Sequence, residues 1–145
     1  MGYYGYKATQ SDGAMDTIAG VATLLAEKWK ELEIRYGTTE ELYWKTEEER
    51  TDASGYPKGH GEKMGIIHML LNVPEIDDSN DYGLRKNAIG YLVQRADELA
   101  MNNAQWTDDE EEIREEWIYT HRILENLTNQ KLASEYNPGD SELPL

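Results

Sequence analysis

Three stretches of this chain repeat apolar side chains at intervals of three and four residues, a spacing that a helix satisfies and a strand does not. Ile18, Val21, Leu25, Trp29 and Leu32 form one such face, in a segment from Ala14 to about Tyr36 with Gly37 placed as a left-handed stop. Ile89, Leu92, Ala96 and Leu99 repeat likewise between about Gly83 and Asn102. Ile113, Trp117, Thr120, Leu124 and Leu127 do so in a last helix expected to end near Ala133. Between them, Thr38-Thr-Glu-Glu41 has the spacing of a capping box, so a further helix starts there, carries Leu42, Tyr43 and Trp44, and frays through the polar run Glu47 to Asp52.

The most apolar run, Met64 to Val73, fits a buried helix or a buried strand equally well by periodicity. Pro74 ends it in either case, because the residue before a proline is pushed out of the helical region. Helix is the better reading, since no second strand-like run exists for it to pair with. The Gly-rich loop Ser54 to Gly61 and the turn Asp77 to Asp81 separate these segments. Together they predict an all-α fold, an irregular bundle of four to five helices over residues 1–134, with Trp29, Trp117 and Leu25 in the core. Residues 135–145 read as a disordered acidic tail.

A chain of 145 residues has enough length to bury roughly 68 to 70% of its unfolded surface, so a real core is available despite a mean hydropathy of −0.79. Cysteine is absent, which excludes disulfides and thiolate metal ligands. No apolar segment approaches the length of a membrane span, and the amino terminus has no apolar signal region, so a cytosolic, unanchored protein is expected.

The net charge of −15 is unevenly distributed: residues 107 to 145 hold 11 acids against three Lys and Arg. Phosphate-binding proteins need clustered bases to release counterions, so direct binding of nucleic acid or of an anionic membrane is disfavoured. Two readings compete for the block Asp108, Asp109, Glu110, Glu111, Glu112, Glu115 and Glu116. Acids at a helix start complement the macrodipole and solvate a surface. The same acids, with Glu47, Glu48 and Glu49, suit a face that occupies a basic protein surface, including that of a nucleic-acid-binding protein. The two regions favour the second reading if they share a face.

Other motifs carry less. Tyr3, Tyr4 and Tyr6 form an aromatic arm able to stack on a partner. Met1-Gly2-x-Tyr4-Gly5 followed by Ser11-Asp12-x-Ala14-x-Asp16 resembles the opening of a family of small bacterial proteins catalogued as a domain of unknown function, which begin M-G-x-W-G and continue to N-D-x-A-x-D. Here Tyr4 replaces the Trp and Ser11 the Asn. The resemblance covers about sixteen residues; it implies a bacterial or phage origin and carries no activity with it.

Glu49-x-x-Asp52 with Glu27, Glu31 and Glu33 is similar to part of the pattern of all-α nucleotide pyrophosphatases, whose facing carboxylates hold magnesium. The E-x-x-E half is missing. Asp78-x-Asn80-x-Tyr82-Gly83 lacks two oxygen ligands of a calcium loop. His60, His68 and His121 make no metal pair by spacing, Gly59-x-Gly61-x-x-x-Gly65 misses the dinucleotide pattern, and no P-loop or nucleophile elbow occurs. No catalytic residue, metal or cofactor is assigned.

The expectation is therefore a non-enzymatic acidic binding or inhibitory protein, of the kind phage antagonists and immunity proteins exemplify, engaging a basic partner. The alternatives are a magnesium-dependent nucleotide pyrophosphatase and a protein that sequesters a small molecule or nucleotide with the Tyr-rich arm and Gly-rich loop.

Overall fold

The computed structural model describes residues 12–53, 55–78, 83–102 and 110–129, and within them the side chains of Asp12, Tyr43, Glu47, Asp77, Asp78, Asn102 and Glu110 are left aside. The chain is an all-α irregular bundle. Four long helices carry it: α1 (Asp12–Tyr36), α4 (His60–Asn72), α6 (Leu84–Asn102) and α7 (Glu110–Asn129). Three short ones, α2 (Thr39–Tyr43), α3 (Glu47–Arg50) and α5 (Glu75–Asp78), link or plug them. Among the described residues no strand forms, and Thr51 and Pro57 make one isolated bridge.

The anticipated stops are physical. Gly37 takes φ 105° after α1 and donates its N–H to the Glu33 carbonyl at 2.7 Å, the left-handed ending that an L side chain resists. Val73 leaves the helical region at φ −134°, ψ 79°, ahead of Pro74, so the apolar run is a helix and ends where its proline requires. Thr38 accepts from the Glu41 N–H at 3.1 Å while Glu41 accepts from the Thr38 N–H at 3.3 Å, completing the capping box of α2.

That second helix does not run on and fray as its sequence suggested. It stops at Trp44, and Thr46 opens α3 with a repeat of the same device: its hydroxyl accepts from the Glu49 N–H at 3.3 Å and donates to the Glu49 carboxylate at 2.8 Å. A second Thr-x-x-Glu overrides continuation because it satisfies the free amides of a new helix start. The Gly-rich loop is also shorter than expected, since α4 begins at His60. Gly59 makes that start possible at φ 78°, where an added Cβ would also meet the Tyr36 ring at 3.2 Å.

The core joins Trp29 and Leu32 of α1, Ile66, Ile67 and Leu70 of α4, Ile76 of α5, Leu84, Ala88, Tyr91 and Leu92 of α6, and Ile123 and Leu127 of α7. Helix α6 packs most extensively on α7 and also meets α2 and α4, while α4 meets α1, α5 and α7. Trp29 is buried as expected, and Leu25 packs partly buried against the cluster.

Trp117 corrects the expectation: it is 39% exposed. The inward stripe of α7 runs through Glu116, Thr120, Ile123 and Leu127, with Ile113 and Leu124 half-buried at its edge, so Thr120 and Leu127 lie where predicted and Glu116 takes the inward place expected of Trp117. The helix is turned this way because Glu116 faces a buried guanidinium on α6, and Trp117 instead lays its ring against His121 at 4.3 Å. The start at Thr107, the helix end near Ala133 and the tail 135–145 lie outside the described residues, as does most of the turn after Asp78.

Candidate functional site

Helix α6 carries a cationic residue on its buried stripe. Arg95 follows Leu92 by three residues and precedes Leu99 by four, so helical geometry turns it inward. It is 8% exposed. A buried guanidinium needs anions and a planar acceptor. Glu116 of α7 provides both, accepting from Nε at 2.6 Å and from Nη2 at 2.9 Å in a two-pronged pair, while Glu98 accepts from Nη1 at 3.3 Å. Burial opposes the charge on Arg95, and the bonds and fields of Glu116 and Glu98 outweigh it, so its pKa is raised.

Other segments converge on the same place. Arg50, at the end of α3, lies 3.9 Å from the Glu98 carboxylate and donates to the Lys45 carbonyl. The Tyr56 ring covers the Arg95 guanidinium at 5.4 Å and stacks on His60 at 5.0 Å. Asp52 holds that turn by accepting from the Tyr56 N–H through its carboxylate. Tyr91, one turn before Arg95, shares a hydrogen bond with His60 Nδ1 across 2.6 Å; burial first, then the carboxylates Glu98, Glu116 and Asp52, pushes the phenol pKa well above the ordinary range. Lys63, fully buried, places its Nζ 4.8 Å from the Tyr91 ring and 5.2 Å from the Trp29 ring, with no hydrogen-bond acceptor among the described residues, and burial lowers its pKa.

Chemically this cluster is a set of ties. The cleft lined by Thr39, Leu42, Arg50, Pro57, Tyr91, Gln94, Arg95 and Glu98 has room for about one water molecule. Of the carboxylates compared with a magnesium site, Glu31 pairs with Arg35 at 2.8 Å, and Glu49 caps α3, its pKa lowered by the Thr46 hydrogen bonds. Among the described residues no three His, Asp or Glu side chains gather to hold a metal ion.

The residues expected to meet a partner divide. Glu111, Glu112 and Glu115 stand exposed on the outer side of α7. Glu116 does not belong with them, because its carboxylate is committed to Arg95. Glu48 and Glu49 are exposed on α3, and the Glu47 and Glu110 side chains are not described. Asp108, Asp109, Tyr3, Tyr4 and Tyr6 lie outside the described residues. The two acidic segments are anchored on adjacent turns of α6, α3 through Arg50 and Glu98, α7 through Glu116 and Arg95.

Sequence reasoning passed over Tyr56, His60, Lys63, Tyr91 and Arg95 as a group. One signal was available: Lys63 precedes Ile66, Ile67 and Leu70 by three, four and seven residues, a charge on an apolar stripe, as Arg95 is on its own. The outer side of α7 further exposes Ile118 at 44% and Tyr119 at 55%, Ile118 beside Glu111, Arg114 and Glu115. No described helix is long and apolar enough to cross a membrane. Comparison with family models, with curated proteins and with solved structures finds no match to the chain.

Proposed function

We infer that this is a non-enzymatic binding protein that engages a basic protein surface through the outer side of α7. The observation that carries the reading is the mixture exposed there: Glu111 and Glu115 share a surface with Arg114 and the large apolar Ile118, and Tyr119 stands exposed one turn after Glu115. A solvated helix face needs the charges and not the large apolar side chains. Interfaces use both, aromatic residues to bury area at the centre and charge at the rim to steer the approach. A net charge of −15 extends that steering beyond the patch. Neither direct nucleic-acid binding nor membrane binding fits such a field.

The test is capture from a host extract at low salt by wild type and by two variants, Glu111→Gln/Glu112→Gln/Glu115→Gln and Ile118→Asp/Tyr119→Ala. The expected result is a basic protein retained by wild type, released by added salt and weakened by both variants. Recovery of no basic protein at low salt, or of one that both variants retain unchanged, overturns the reading.

A further inference from the structure

We propose that the His60–Tyr91 hydrogen bond is an acid-releasable latch, which joins the first turn of α4 to α6 and keeps Lys63 sealed between the Trp29 and Tyr91 rings. The geometry begins with the shared phenol. The Tyr91 hydroxyl lies in hydrogen-bond contact with His60 Nδ1 at 2.6 Å and its ring face meets Lys63 Nζ at 4.8 Å, while Trp29 closes the far side at 5.2 Å and meets Tyr91 edge to face at 6.2 Å. His60 and Lys63 lie three residues apart on one helix, so one movement of the Tyr91 ring disturbs both.

The latch takes the tautomer in which the neutral imidazole accepts the phenol hydrogen at Nδ1 and carries its own hydrogen on Nε2. Protonation puts a second hydrogen on that short line. Tyr91 must then turn its O–H away into buried surroundings or give up the contact, and a buried hydroxyl without an acceptor is costly.

The charges around His60 come from four sides. Lys63 on its own helix and Arg95 of α6 oppose a proton, whereas Asp52 in the preceding turn and Glu116 of α7 favour it. Burial is the largest influence and opposes it, as does the positive N-terminal end of α4, where His60 is the first helical residue. Tyr56 stacks on the imidazole ring. The balance lowers the His60 pKa below 6.5.

The sign follows from that direction. A folded value below the unfolded one means that the unfolded chain binds the proton more readily, so the stabilisation is whole above pH 6.5 and is lost as pH falls from there towards the folded value. Lys63 makes the release sharper, because its Nζ has no hydrogen-bond partner among the described residues in the closed state and gains water once Tyr91 moves.

The experiment is amide hydrogen exchange on the full chain, corrected for intrinsic rates, between about pH 7.5 and about pH 5.5, either side of the ordinary histidine range. Amides from Lys63 to Ile67 in wild type are expected to lose protection several-fold across the window, and His60→Gln, which cannot titrate there, to hold nearly constant. Parallel loss in both proteins, or no loss in wild type, overturns the latch.

Imidazole resonances of wild type, assigned with His68→Gln and His121→Gln, give a second measurement that does not depend on the His60 variant folding. A His60 midpoint below 6.5 that moves up in Lys63→Met supports the proposal. A midpoint at or above 6.5, or one indifferent to Lys63, overturns it.

Discussion

Arg95 is the residue that ties α6 to α7, through the paired carboxylate of Glu116. Its guanidinium is nearly sealed from water, so its stabilising value lies in the quality of its pairing rather than in the presence of a charge. Glu116→Gln keeps the shape and removes the compensating charge. It is expected to cost about 3 kcal/mol, the low end for breaking a buried pair, because Glu98 remains and Glu116 itself retains some water contact. Urea midpoints measure this, and Arg95→Met/Glu116→Leu should recover most of the loss if unpaired charge rather than packing is responsible.

At this scale the sequence was legible where chemistry and periodicity agreed. Trp29 is apolar at an apolar position and was placed correctly. Glu116 and Trp117 are adjacent, and hydrophobicity assigned the inward place to the tryptophan. The guanidinium across the interface, 21 residues away in sequence, decided otherwise. No local pattern contains that information.

Among the elements, the short helices α2 and α3 show how much a single hydroxyl decides. Each begins at a threonine whose side chain and reciprocal glutamate satisfy free amides, and neither has length enough to stand without that help. Thr46→Ala is expected to destabilise the chain by about 1 kcal/mol and to raise exchange at the amides of Glu49 and Arg50. Thermal denaturation and hydrogen exchange check the two halves. An unchanged melting temperature would show that α3 is held by Arg50 alone.

The first capping box was readable because it opened a segment with apolar residues to follow. The second lay within a run of charge, where a cap looks like more of the same. The ends of α1 and α4 were readable, their stops at Gly37 and Pro74 being backbone requirements that tertiary packing cannot override.

For the molecule as a whole, the surplus of acid is the dominant long-range force. Charges spread over one compact body repel one another more than they do in an expanded chain. Moderate sodium chloride is therefore expected to raise the melting temperature, by screening that repulsion over a Debye length of about 10 Å at 0.1 M, with the buried Arg95 pair little affected. Melts across a salt series test this, and a falling melting temperature would mean that attractive surface pairs outweigh the repulsion. The same salt is expected to weaken association with a basic partner, so stability and binding should move in opposite directions.

The inward and outward sides of α7 answer to different demands, and this governs how the sequence can vary. Glu116 is fixed by a guanidinium that can use no other acceptor so well, and Ile123 and Leu127 are fixed by the core. Glu111, Glu112, Glu115, Ile118 and Tyr119 are bound by neither. The helix is thus a rigid backing with an exchangeable facing, on which specificity can be rewritten by substitution while the bundle beneath keeps its shape.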